Sequence, residues 1–97
     1  MRKIETDMCA AIRAGKPFTS GNTRTATNGP LMDVFLHGHL IARRMNGTWR
    51  FNLCGWNTPT TRSRINAIAR TFGRAGVNCK AGVAHCDGVA IDSKEWF

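Results

Sequence analysis

The sequence predicts an α+β domain with an N-terminal helix, a four-stranded antiparallel meander, a second helix packed on the sheet and a C-terminal β-hairpin. Apolar residues recur at helical spacing in two segments, and they alternate with polar residues in the stretch between these segments. Pairs of turn residues divide that alternating stretch into short runs. Because 97 residues, 42% of them hydrophobic, can bury one modest core, a single domain over residues 1–97 is expected.

The first helix is predicted to span Arg2 to Ala14. Ile4, Met8 and Ile12 follow one another at helical spacing, which places them on one face. Gly15 then acts as a helix stop. This segment is therefore expected to be a short amphipathic helix with one apolar stripe.

Four strands are predicted in the middle of the chain. Turn residues at Asn28-Gly29-Pro30, Gly38-His39 and Asn46-Gly47 separate them. The predicted strands cover residues 23–27, 31–36, 40–45 and 48–53. Because strands joined by such short turns pair with each other, an antiparallel meander is expected.

The hairpin at Asn46-Gly47 predicts which side chains share a face. A two-residue turn places Ala42 opposite Phe51, and it places Arg43 opposite Arg50. The core face is then expected to carry Phe51 with Ala42, Trp49, Leu40 and Leu53. Since like charges directly opposed on a sheet are destabilising, the arginine pair indicates either an anion site or two side chains that splay apart into solvent.

The second helix is predicted to begin at Pro59, after Thr58 as its N-cap. Ile65, Ile68 and Phe72 form an apolar stripe that packs on the sheet. Four arginines are expected to point outward from this helix as one ridge, and they are Arg62, Arg64, Arg70 and Arg74.

The chain after Gly76 predicts a C-terminal hairpin. Apolar and polar residues alternate from Val77 to Val83, Asp87-Gly88 is a turn signal, and Val89 to Ile91 form a strand pattern. The hairpin is expected to join the sheet or to pack beside it. The final segment Glu95-Trp96-Phe97 is expected to dock on the domain, because it is too apolar to be a free tail.

Charge is the strongest global indication of function. Fourteen lysines and arginines, ten of them arginine, outnumber six acidic residues and give a net charge of +8. Such a surface attracts polyanions, and arginine binds phosphate through paired donors. Nucleic acid is therefore the expected partner, with an acidic protein surface as the alternative. Because no apolar run is long enough to span a bilayer and no secretory pattern is present, a cytoplasmic location without a membrane partner is expected.

Residues that could carry catalysis or bind a metal are few and scattered. The chain has four cysteines, at Cys9, Cys54, Cys79 and Cys86. They form no C-x-x-C pair, so reduced thiols are expected, with no metal and no other cofactor. An enzyme is not expected, because the carboxylates have no paired spacing and no glycine-rich phosphate loop is present. The least favoured alternative is a metal-dependent nuclease that uses His37, His39 or His85.

The strongest candidate site lies at the start of the second helix. A helix N-terminus presents free N–H groups and the positive end of the helix dipole, which suit a phosphate. The expected phosphate-binding residues are Thr60, Thr61, Ser63, Arg62, Arg64, Arg70 and Arg74, with Arg43 and Arg50 as a second patch. The alternative is that Thr58 and Thr61 only cap the helix while the arginines are solvated. Trp56 either stacks a base or packs back on the helix, and packing is favoured.

Three stretches of the chain resemble small proteins encoded by tailed phages, especially podoviruses. They are Gly21-Asn22-Thr23, Leu36 to Ala42 (LHGHLIA) and Gly55 to Ala67 (GWNTPTTRSRINA). The resemblance covers roughly residues 1 to 72. It implies a phage origin and a location in the host cytoplasm, and it implies no particular activity.

The expected function is therefore that of a small, basic, phage-encoded protein that binds DNA or RNA, mainly through the phosphates. The alternative is an inhibitor of a host protein. Such an inhibitor would be of the anti-defence or anti-CRISPR type, or would block host transcription, by contact with an acidic or nucleic-acid-binding surface. The sequence indicates no oligomeric state.

Overall fold

The computed structural model describes residues 2–97 and confirms the α+β class. In chain order these residues form α1 (Lys3–Ala14), β1 (Thr19–Ser20), β2 (Thr23–Asn28), β3 (Leu31–Leu36), β4 (His39–Met45), β5 (Thr48–Phe51), α2 (Pro59–Phe72), β6 (Val77–Lys80), β7 (Val83–Cys86) and β8 (Val89–Ala90). No helix among them is long and apolar enough to cross a membrane.

The larger sheet is a five-stranded antiparallel meander in the order β1-β2-β3-β4-β5. It has one strand more than predicted, because Thr19–Ser20 pairs with the start of β2. A strand of two residues is too short to show an alternating pattern. Both helices cover one face of this sheet, and the core between the layers includes Met8, Ile12, Val34, Phe51, Ile65 and Ile68.

The smaller sheet, β6-β7-β8, replaces the predicted C-terminal hairpin. An additional turn at Ala81-Gly82 divides the first part of this segment into two strands. Ala81 has a φ of 53°, a left-handed conformation that the residue type alone does not predict. Asn66 of α2 holds this sheet in place, because its side chain accepts from the N–H of Val77 at 2.6 Å and donates to the Val77 carbonyl at 2.8 Å.

The predicted register of the Asn46-Gly47 hairpin is confirmed. Both turn residues have positive φ, as a type I′ turn requires. Ala42 pairs with Phe51, and Arg43 pairs with Arg50. Phe51 is fully buried.

The turn predicted at Gly38-His39 lies one residue earlier, at His37-Gly38. Both of these residues have positive φ, and Leu36 pairs with His39. A bulge then shifts the register between Val34 and Phe35. Ile41 is consequently buried, whereas Leu40, which was expected on the core face, is half-buried opposite Phe35.

Candidate nucleic-acid interface

The start of α2 is a helix cap. The Thr58 hydroxyl accepts from the N–H of Thr61 at 3.2 Å, and the two hydroxyl oxygens are 2.9 Å apart. Thr61 is buried, whereas Thr60 is half-buried. Thr60 and Thr61 were both expected to bind phosphate. The hydrogen bonds of Thr61 are instead part of the helix cap.

Arg64 does not point outward as predicted, since it is only 4% exposed. Its Nη1 atom lies 2.7 Å from Glu5 Oε2, and its Nε atom donates to the Thr23 hydroxyl at 3.0 Å. Ser63 also turns inward and donates to Glu5 Oε2 at 2.6 Å. The reason is that α1 packs beside this flank of α2 and presents a carboxylate to it. Arg64 and Ser63 thus join the two helices and the sheet.

Glu5 is an ionised carboxylate within this network. Burial pushes the pKa of Glu5 upward, but the hydrogen bonds from Ser63 and Arg64 and the charge of Arg64 outweigh burial. The pKa of Glu5 therefore lies below its usual value. The positive charge of Arg64 is compensated inside the protein.

The remaining arginines of the predicted ridge line two adjoining grooves, Arg62 with Arg70 in one and Arg70 with Arg74 in the other, but two of the three also make hydrogen bonds within the protein. Arg62 donates to the backbone carbonyl of Asn57 at 2.9 Å and to its side-chain oxygen at 2.5 Å. Arg74 donates to the backbone carbonyl of Trp49. Only Arg70 of the four is exposed, and it lines a shallow groove with Arg62 and Arg2.

The second predicted patch lies on the sheet face opposite the helices, and we call this surface the open sheet face. Alternation along the strands brings charged and aromatic side chains to it, and the docked chain end adds Trp96; these residues are Arg24, Asp33, Phe35, Arg43, Arg50 and Trp96. Three guanidinium groups and one carboxylate give this set a net positive charge. Two exposed or half-exposed aromatic rings lie among these charges.

Arg43 and Arg50 are adjacent on the open sheet face because a carboxylate compensates one of them. Arg43 Nε lies 2.7 Å from Asp33 Oδ1, and its Nη2 lies 2.9 Å from Oδ2. This paired contact with Asp33 raises the pKa of Arg43. Arg50 is exposed, so it is the guanidinium of this pair that is available to an external anion.

The aromatic residues of the open sheet face are held in two different ways. The guanidinium of Arg24 lies 4.2 Å from the centre of the Phe35 ring, a cation–π contact. Phe97 exchanges two backbone hydrogen bonds with Phe51, of 2.9 and 2.8 Å. The neighbouring residue Trp96 therefore reaches the opposite face, where it is 42% exposed beside Arg43 and Arg50.

Sequence reasoning missed four residues of this surface, namely Arg24, Asp33, Phe35 and Trp96. Arg24 and Phe35 could have been found, because a turn at Gly29-Pro30 pairs them across β2 and β3. Trp96 could not, since its position depends on the docking of the chain end against β5.

The stretches that resemble phage proteins converge at one end of the molecule. Asn22 and Thr23 contact Arg64, and the β3–β4 turn lies beside the start of α2. Trp56 lies beside the first residues of α2, where it is 56% exposed with its ring centre 6.0 Å from that of His39.

The structure shows no assembled metal site within residues 2–97, where no three His, Cys, Asp or Glu side chains lie close enough to hold an ion. The four cysteines are free thiols. Burial raises the pKa of Cys9, Cys54 and Cys86, so these thiols are weak nucleophiles at neutral pH.

Comparison with known proteins identifies a family of phage origin. A family model described as Kyanoviridae Gp96 protein matches residues 1–97. No curated protein and no solved structure matches the chain significantly. The family match extends past residue 72, where the resemblance found in the sequence ends.

Proposed function

We propose that this chain, which belongs to the Kyanoviridae Gp96 family of phage proteins, binds nucleic acid in the host cytoplasm through the open sheet face. A podovirus-type origin stays a prediction. The observation that carries the proposal is that three arginines share a sheet face with the exposed ring of Trp96 and the half-buried ring of Phe35, and that neither helix covers this face. Arginine supplies the phosphate contacts, and the rings supply stacking surfaces.

Single strands fit this surface better than duplexes. A single strand can stack a base on Trp96 while its phosphates contact Arg50, and Arg24, whose guanidinium lies over the Phe35 ring, adds a further positive charge. In a duplex the base faces are already stacked, so the aromatic rings would gain little. The proposed ligand is therefore single-stranded DNA or RNA, bound with little sequence preference.

The helix side contributes less to this proposal than the sequence predicted. Arg64 and Arg74 are used in internal hydrogen bonds, and Ser63 and Thr61 are also satisfied within the protein. Arg70 is exposed, which makes it a matched comparison for Arg50. The two arginines lie on different faces of the same domain.

The test is a titration of labelled single strands and duplexes across a salt series. The Arg50→Ala variant is expected to weaken binding to all sequences and to flatten the log–log salt slope by about 0.7 on single strands. Trp96→Leu is expected to weaken single-strand binding about 5-fold or more, because one stacking contact is lost. The Arg70→Ala control is expected to leave the affinity for single strands and the salt slope unchanged.

Two results would contradict the proposal. One is wild-type protein that shows no salt-sensitive binding to single strands. The other is Arg70→Ala weakening the complex as much as Arg50→Ala, because that result would move the interface to the helix side.

A second candidate function is inhibition of a host protein, and the exposed apolar side chains favour it. Met45 is 54% exposed next to Trp96 on the open sheet face, and such residues are common at protein interfaces. In that case an affinity pull-down from infected cells retains one host protein after nuclease treatment. The Trp96→Leu variant is then expected to retain less of this host protein in the pull-down. The wild-type protein is expected to show no nucleic-acid binding in the titration.

A further inference from the structure

A cavity of about 410 Å³ lies between the β3–β4 turn and the start of α2. Its floor is apolar and consists of Leu36, Ile41 and Leu53. These residues belong to the core side of the sheet, so the cavity opens between the layers and is separate from the open sheet face. Its volume lies in the range of small-ligand pockets, which is roughly 300–1,000 Å³.

The walls of the cavity are aromatic. The rings of His39 and Trp56 are 6.0 Å apart between centres and inclined by 39°. Both residues are exposed, and Trp56 is more than half so. An exposed indole offers a flat surface on which another planar ring can stack.

The rim supplies hydrogen-bonding groups without permanent charge. Thr60 and His37 line the cavity, and a hydroxyl and an imidazole can each donate or accept. The lining, which lies wholly within residues 2–97, contains no Asp, Glu, Lys or Arg. Such a lining offers no permanent positive charge to a phosphate or a carboxylate, whereas its rim groups can pair with the polar edge of a neutral ligand.

From these features we infer that the cavity binds a nucleobase. A base is planar and neutral, stacks on indole and imidazole rings, and carries donors and acceptors along its edge. The base comes either from a free nucleoside or nucleotide or from an unstacked position in a strand, since both present the same ring. This site is independent of the open sheet face, and it does not require that face to bind nucleic acid.

The three tryptophans allow a direct test on the wild-type protein. Trp49 is buried, Trp56 lines the cavity and Trp96 lies on the open sheet face, so each indole N–H signal in an NMR spectrum reports on one place. Adenosine and uridine are expected to shift the Trp56 signal and to leave those of Trp49 and Trp96 in place. Ribose is the control without a base, and it is expected to shift none of them.

Two further arms define the source of the base. In the first arm, a short oligonucleotide is compared with an abasic strand of the same length. If only the oligonucleotide shifts the Trp56 signal, the bound base belongs to a strand. A shift with nucleosides alone identifies a free nucleoside or nucleotide. Either result supports the base site, and Trp96 reports independently whether the strand also occupies the open sheet face.

Matched variants complete the experiment. Trp56→Leu is expected to weaken nucleoside binding at least about fivefold, because it removes one stacking surface, whereas Trp96→Leu is expected to leave it unchanged. Thr60→Val keeps the shape of the rim and removes one hydroxyl, so it is expected to weaken binding without changing the fold. The inference is overturned if no nucleoside or base-containing strand moves the Trp56 signal, if ribose moves it equally, or if Trp96 responds to nucleosides in its place.

Discussion

Glu5 and Arg64 form a buried ion pair between the two helices. Their side chains are 3% and 5% exposed, and Thr23 and Ser63 complete the hydrogen bonds around them. Removing one partner of such a pair leaves an uncompensated charge in the interior, whereas removing both leaves none. The stability of the protein therefore depends on how many of the two charges are present.

Replacing one member of this pair is expected to cost more than replacing both. Arg64→Met and Glu5→Leu are each expected to lower the free energy of unfolding by about 3–5 kcal/mol. The double variant is expected to be near neutral, because two apolar side chains can occupy the same space. Urea unfolding of the four proteins measures this, and costs that simply add would contradict the interpretation.

The ion pair also makes stability depend on pH in a definite direction. Because the pKa of Glu5 is lower in the folded protein than its ordinary value of 4.5, the pair contributes its full stabilisation above that value. The contribution is lost as the pH falls through the lower, folded pKa, where Glu5 takes up a proton.

Glu5→Gln provides the corresponding measurement, since it resembles the protonated side chain. The difference in unfolding free energy between wild type and this variant is expected to be constant near neutral pH and to shrink below about pH 4.5. Asp7→Asn is the control, because Asp7 pairs with Lys3 on the exposed side of α1. If the difference in unfolding free energy between wild type and Glu5→Gln stays constant below pH 4.5, the charge of Glu5 does not contribute to stability.

At the scale of secondary-structure elements, the β4–β5 hairpin separates the core face of the sheet from the open sheet face. Phe51 is fully buried, with the ring centre of Trp49 6.3 Å away and that of Phe97 5.9 Å away. Its neighbour Arg50 is exposed on the opposite face. Successive side chains of this strand therefore lie alternately in the core and on the surface.

Alanine substitutions at these two positions are expected to give opposite outcomes. Phe51→Ala is expected to cost about 3–5 kcal/mol, because it empties the centre of the core. Arg50→Ala is expected to change stability little, or to increase it slightly by removing a like charge beside Arg43. Thermal melting of both variants checks this, and an equal loss of stability in both would contradict the register.

The elements that could be predicted from the sequence are those with strong local patterns. Both helices begin within one residue of the prediction, α1 ends at Ala14 as predicted, and the Asn46-Gly47 turn fixes its own register. The second helix ends at Phe72, so Arg74, which was expected on this helix, lies just beyond it. The orientation of Arg64 could not be predicted, because a helical pattern shows which residues flank the apolar stripe but not which flank a second helix covers. The bulge near Phe35 likewise depends on how β3 and β4 pair along their whole length.

At the scale of the whole molecule, packing determines which arginine side chains remain available to an external anion. Ten arginines contribute to the net charge of +8, yet Arg64 is compensated by Glu5 and Arg43 by Asp33. Arg44 lies 5.7 Å from the centre of the Trp49 ring. Composition therefore predicts the sign of the surface charge, while the candidate interface depends on which side chains the fold leaves uncompensated.

The contact between Glu5 and Arg64 has a consequence for the kinetics of folding. Its two residues are 59 positions apart, whereas every strand of the five-stranded sheet pairs with the strand next to it in the chain. Because long loops cost more entropy to close than short ones, the meander is expected to form before α1 docks. In stopped-flow experiments, Phe51→Ala should therefore slow refolding, while Arg64→Met should chiefly accelerate unfolding.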